Sequence, residues 1–332
     1  MSIVNSLLAS GADVNAHNGA ALCLAVEAAD NKIADALFAA RPGPNPASLA
    51  RALPHALRIP DPMERQTFAE KILQAGAPPV ECNRALCHAI KSLSEELGLI
   101  RTLLASADVS DGEALACAVK KGNPRIVELV LQKAKYSVAV LNAAFSEATK
   151  VKDKPVRVEI CTALLRAGVS ENVASDALLA ASGDGDTMLS QVLMRHGGSI
   201  RGHDGQAVVE ACRSGSTDVL RILLGGRVAA KKSTLERGFQ AATEVRDLAK
   251  RAEIFKILLE KGVSGDVVNA QLVSAVRYGE EGQVVIRVLL EAGADPNYNS
   301  GEAVWAATRN AFLVNLDMML GNIAVGGQQV RH

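Results

Sequence analysis

Cys82, Cys87 and His88 come nearest in this sequence to a metal-ligating cluster, because thiolate and imidazole are the ligands that zinc and related ions take. Cys87 and His88 are consecutive, however, and on the helix expected there they point to different sides. The six histidines, His17, His55, His88, His196, His203 and His332, show no His-Glu-x-x-His or similar spacing. Gly183-Asp184-Gly185-Asp186 suggests calcium but lacks the length and terminal glutamate of a calcium loop. A tight turn between two helices, capped by Asp186 or Thr187, suits the same residues. There is no Gly-x-Ser-x-Gly elbow, phosphate-cradling loop or dinucleotide fingerprint. An enzyme reading has no residue to rest on, and neither a metal nor a cofactor is expected.

Binding chemistry is better represented. Lys91, Lys120, Lys121, Lys150, Arg213, Arg277 and Arg309 fall at the predicted carboxy-terminal ends of short helices. Such a row of cations on a neutral protein would steer an acidic peptide or an acidic patch of a partner. The macrodipole offers a competing account, since it favours a cation at a helix C-terminus by about 0.3–1 kcal/mol. Glu95, Glu96, Asp218 and Glu253, at predicted helix starts, obey the same rule. Tyr278, Tyr298 and Trp305 are the candidate aromatic anchors, of the kind that carry binding energy in many interfaces. Alternatively, Trp305 plugs the last complete unit of a stack as part of a terminal cap.

These residues must be positioned by elements that repeat. A pair of bulky aliphatics followed by a glycine turn recurs at intervals averaging about 31 residues, as in Leu7-Leu8-Ala9-Ser10-Gly11 and Leu289-Leu290-Glu291-Ala292-Gly293. One unit shows the local logic. Small apolar residues from Ala114 to Val119 predict a first helix, which Gly122 ends by adopting the left-handed conformation. Asn123 then caps a second helix, and Pro124 occupies its first turn, where a missing N–H costs nothing. Ile126, Val127, Leu129, Val130 and Leu131 form a broad apolar stripe. Both helices are too short to be stable alone, so each unit must bury its face against neighbours.

This pattern resembles the ankyrin repeat. The match is strongest over 113–131 and 206–224 and at the Gly-Ala-Asp-Val-Asn and Gly-Ala-Asp-Pro-Asn exits of 11–15 and 293–297. The resemblance implies an all-α, helical-repeat solenoid in which the ends of the first helices face a concave, partner-binding side. Departures are systematic: the family's Thr-Pro-Leu-His turn never occurs, its histidine position being taken by Cys23, Cys87, Ala116, Val209, Val273 or Trp305. The link from Asn297 to Val304 is short for the family, so β-hairpin fingers are expected to be short or absent. Tyr298 falls on one of these fingers.

A higher period overlies the first, because every third unit is about four residues longer. The extra residues fall in the links around Arg58-Ile59-Pro60-Asp61-Pro62, Lys150-Val151-Lys152-Asp153-Lys154-Pro155 and Glu244-Val245-Arg246-Asp247. At helix spacings of about 8–10 Å per unit these links would recur every 24–30 Å or so and could form a binding ridge. They could equally extend the second helix by a turn.

Composition narrows the partner. Thirty-six basic residues balance thirty-six acidic ones and aromatics make up only 3%, which argues against nucleic acid. No apolar run is long enough to span a bilayer. Six cysteines without paired spacing read as reduced, buried thiols of a cytoplasmic or nuclear chain. The expectation is a single repeat domain over 1–332. It has a leading half-unit at 1–15, about ten units over 16–321 and a polar tail at 322–332, with the half-unit start suggesting a piece of a longer array. Its expected role is that of a monomeric, non-enzymatic scaffold for a protein or peptide, acidic partners being favoured by the cation row. The alternative is a structural spacer with no ligand of its own.

Overall fold

A computed structural model describes residues 2–226 and 228–326. Over the described residues the chain is all-α, with 73% helix and no strand. It divides into two compact units, Met1–Val169 and Ser170–His332. The first contains α1 (Ser2–Ala9), α2 (Ala16–Glu27), α3 (Asn31–Ala39), α4 (Pro46–Ala56), α5 (Pro62–Gln74), α6 (Pro79–Ser92), α7 (Leu97–Ser106), α8 (Glu113–Lys121), α9 (Pro124–Lys133), α10 (Val138–Ala148) and α11 (Lys154–Ala167). The second contains α12 (Glu171–Gly183), α13 (Thr187–Arg195), α14 (Gln206–Arg213), α15 (Thr217–Leu224), α16 (Lys232–Ala241), α17 (Leu248–Glu260), α18 (Asp266–Val276), α19 (Gln283–Glu291), α20 (Tyr298–Arg309) and α21 (Leu313–Gly326).

Inside each unit an even-numbered helix packs on the odd-numbered one that follows it and on the even-numbered helices before and after it. The unit read from sequence forms as expected. Gly122 ends α8 at φ +69°, and the Asn123 side chain accepts from the amides of Arg125 and Ile126 at 3.1 and 3.3 Å, with Pro124 at the first position of α9. Leu115, Ala118, Val119, Ile126, Val127 and Val130 are fully buried. Burial worth about 1.5–3 kcal/mol per large aliphatic offsets the nucleation cost of helices this short. Asp186 likewise caps α13, accepting from the Leu189 amide at 3.2 Å, so the Gly-Asp-Gly-Asp run is a helix-to-helix turn.

The long links are resolved in favour of added helix. Second helices α5, α11 and α17 have 13, 14 and 13 residues, against 8 to 10 in α3, α7, α9, α13, α15 and α19. Each link is tied down the same way. Arg65 Nε donates to the Ile59 carbonyl at 2.8 Å, Arg157 Nη1 to Val151 at 3.0 Å and Arg251 Nε to Val245 at 3.0 Å. Asp61, Asp153 and Asp247, two residues after each acceptor, cap the helix that follows.

A second recurring device is a left-handed glycine at the helix entry one unit before each of these links, and again near the end of the chain. Gly19, Gly112, Gly205 and Gly301 enter α2, α8, α14 and α20 at φ +72°, +81°, +80° and +72°. A Cβ at the first three would overlap Ser48, Val140 and Thr234, the side chains that the next even-numbered helix lays against the turn. At Gly301 nothing lies within 4 Å.

Two expectations are corrected. Tyr298 precedes a left-handed turn, Asn299, Ser300 and Gly301 at φ +50°, +59° and +72°, that leads into the body of α20, with no strand there to form a finger among the described residues, and α21 runs through Gly321-Asn322 to Gly326, so the helix takes in the first part of the expected polar tail. The remainder of that tail, including 328–332, lies outside the described residues.

Candidate functional site

In the first unit the cations converge at the ends of α6, α8 and α10. The left-handed turn at Gly122 leaves Lys120 and Lys121 exposed at the rim of α8. Lys121 Nζ donates to the Lys91 carbonyl at 3.0 Å, which joins the end of α8 to the end of α6. Beyond α10 the tied link carries Lys150 and Lys152 toward α8. An open recess of about 550 Å³ lies between them, lined by Lys120, Lys121, Lys150 and Lys152 and by Val119, Val151 and Val156. Its two carboxylates are already engaged. Glu147 pairs with Lys150 at 2.7 Å, and hydrogen bonding and charge from Lys150 hold its carboxyl below the usual range. Asp153 accepts from the Val156 amide at 3.0 Å as the cap of α11.

The second unit treats its cations differently. Arg213, at the end of α14, is clamped between Glu210 and Glu244, the latter at 3.2 Å. Hydrogen bonds to these carboxylates push the arginine's pKa up, and the Arg213 contact pulls Glu210 down. Arg277 faces Glu302 at 3.6 Å. Arg309 lies over the Trp305 ring at 5.2 Å, and Arg251 over Tyr278 at 4.9 Å. Trp305 is 60% exposed, so it does not plug the stack; Tyr278 is 44% exposed and Tyr298 half-buried.

The predicted row therefore separates into Lys91, Lys120 and Lys121, held together in the first unit, and Arg213 and Arg277, each opposite a glutamate in the second. Lys152 joins the first group. Its signal was the density of lysine in Lys150-Val151-Lys152-Asp153-Lys154. The pairing of Arg213 with Glu244 had no comparable signal, since it crosses 31 positions between two helices.

All six cysteines are buried and none is in a disulfide. Burial, reinforced by a hydrogen bond with Cys117, pushes the Cys87 thiol up to about 12, and burial alone takes Cys212 to about 12. Thiols held protonated in this way are poor nucleophiles. Among the described residues no three histidine, cysteine, aspartate or glutamate side chains gather closely enough to hold a metal. No helix among them is long and apolar enough to cross a membrane. No protein-family model matches the chain, and no curated protein sequence matches it either.

Proposed function

We propose that the chain is an ankyrin-like helical-repeat protein and acts as a non-enzymatic scaffold. A protein or peptide partner would lie along the concave side lined by the first helices of each pair, with Lys91, Lys120 and Lys121 at its contact in the first unit and an acidic partner favoured. One observation carries this reading: the ends of α8 and α10 bring four lysines, Lys120, Lys121, Lys150 and Lys152, around one open recess, and Lys121 ties the exposed Lys91 at the end of α6 to its edge through the Lys91 carbonyl. Cations gathered in this way raise the rate and selectivity of encounters with acidic surfaces. The six buried thiols accord with a reducing compartment, cytoplasmic or nuclear.

A second reading, that of a spacer, is favoured for the second unit by the clamping of Arg213 and Arg277 against Glu210, Glu244 and Glu302. Exposed pairs of this kind contribute about 0–1 kcal/mol and leave little charge for a partner. Affinity capture with the whole chain tests the scaffold. The expected result is a saturable protein partner that is lost when Lys91, Lys120 and Lys121 are changed to glutamate. Absence of any saturable partner, with the variants still helical, would leave the spacer.

A further inference from the structure

We infer that the recess between α8, α10 and α11 is a pocket for an oxyanion side chain, a carboxylate or a phosphate, carried on an extended segment of the partner. This rests on the scaffold reading and narrows it to one site and one ligand chemistry.

Three observations carry the inference. First, the recess is charged beyond what its own residues neutralise. Glu147 is engaged by Lys150, Asp153 by the Val156 amide, and Lys121 by a neutral carbonyl. Among the described residues Lys120 and Lys152 have no ion-pair partner within 4 Å and both are exposed, the charge of Lys120 bearing only weakly on Glu147, which Lys150 already holds. Second, the fold does not need this excess. The equivalent junction of the second unit, where α14 meets α16 and α17, carries two cations in place of four, Arg213 and Arg246, and clamps Arg213 between Glu210 and Glu244. Because both junctions share the entry glycine, the tied link and the aspartate cap, backbone requirements cannot account for the difference in charge. Third, the recess is lined by Val119, which is buried, and by the half-buried Val151 and Val156, while its four lysines are exposed. That arrangement takes the methylenes of a side chain against the valines and its charged end among the lysines.

Lysine ammonium groups are compact point donors and accept carboxylate and phosphate alike, whereas a planar fork would select geometry. A nucleic acid fits poorly, since neither an aromatic side chain nor an arginine lines the recess for base stacking.

The test uses the whole chain and a fluorescein-labelled hexaglutamate peptide, alongside a neutral-flanked phosphoserine peptide, both read by fluorescence anisotropy at low salt. Saturable binding is expected, weakening with added salt, and a Lys120→Gln/Lys152→Gln variant should bind at least about tenfold more weakly. An Arg195→Gln/Arg246→Gln variant, altered in the second unit, should bind as the parent does. Tighter binding of the phosphoserine peptide, with competition by inorganic phosphate, would assign phosphate as the source. Tighter binding of hexaglutamate would assign carboxylate, and both results support the pocket. Undiminished binding by the Lys120→Gln/Lys152→Gln variant, no saturable binding, or binding only of a single-stranded oligonucleotide overturns it. If protein capture survives in that variant while neither peptide binds, the pocket fails and the scaffold stands. If capture is also absent from the parent chain, the scaffold itself falls.

Discussion

The junction of α8 with α10 and α11 in the first unit, and that of α14 with α16 and α17 in the second, have nearly the same frame and opposite electrostatics. In each, a left-handed glycine lets the next helix approach, Gly112 under Val140 and Gly205 under Thr234. In each, an arginine six residues after an aliphatic holds that residue's carbonyl, Arg157 on Val151 and Arg251 on Val245. Around the first frame lie four lysines and two engaged carboxylates; around the second, Arg246 and an arginine, Arg213, closed in by two glutamates. Frame and charge are thus set by separate residues. The frame depends on close contacts and buried donors, each worth kilocalories, while exposed charge pairs contribute about 0–1 kcal/mol and can change freely.

The largest effect should come from the entry glycines. Gly112→Ala must hold a side chain at φ +81° and push it into Val140, so a loss of about 2–4 kcal/mol is expected. Gly205→Ala should cost as much against Thr234. Gly301→Ala meets nothing within 4 Å, which leaves only the backbone strain, about 1 kcal/mol. Urea unfolding of the three variants checks this; equal losses at positions 112 and 301 would show that helix approach does not depend on the missing Cβ.

Somewhat smaller losses are expected for the link arginines. Arg157→Met and Arg251→Met each remove a charged donor from a link carbonyl, and about 1.5–3 kcal/mol should go in either unit. Hydrogen exchange of the α11 and α17 amides locates the loss. A large effect in one unit with none in the other would break the equivalence of the two frames.

Much of the frame could be read in the sequence because it is local. Asn123-Pro124, the glycine turn at Gly122 and the aliphatic stripe of α9 are fixed by neighbours within a few positions. The third-unit period was also visible in the link lengths, and so was its meaning as one of two options. The arginine that decides between them was written in plain view as Ile59…Arg65, Val151…Arg157 and Val245…Arg251, but its function depends on a carbonyl that only the folded link exposes. The recurring Gly19, Gly112 and Gly205 were missed for a related reason: their requirement arises from the side chain of the next helix, about thirty positions on. Charge was the least legible property. Lys120 and Arg213 look alike in sequence, and only contacts across helices separate an open lysine from an arginine held by Glu210 and Glu244.

That separation can be reversed by design. Glu210→Lys/Glu244→Lys should release Arg213 and give the second junction a basic rim, with stability changed by no more than about 1 kcal/mol because the lost pairs are exposed. If charge alone distinguishes the junctions, the double variant should bind hexaglutamate several-fold more tightly than the parent, and adding Lys120→Gln/Lys152→Gln should weaken binding by less than it does in the parent chain. No gain would mean that the first recess contributes shape as well as charge.

The smallest effect concerns the buried thiols, which differ between the units in having or lacking a neighbour. Cys212 is raised to about 12 by burial alone, whereas Cys87 owes its value first to burial and then to Cys117. A thiol whose value is raised on folding stays protonated in the folded state while the unfolded thiol ionises at its ordinary value; its contribution to stability is therefore intact below 9.0 and is lost as pH climbs from there toward 12. At pH 10 the loss should be about 1 kcal/mol for each such thiol. Cys212→Ala should therefore flatten the fall in stability between pH 8 and 10 or so by that amount, relative to the parent chain. Cys117→Ala should flatten it less, because the burial that dominates the Cys87 shift remains when its neighbour is removed. Urea midpoints at the two pH values measure both. Equal flattening by the two variants would mean that the Cys87–Cys117 contact, and not the surrounding apolar packing, governs the first unit's thiol.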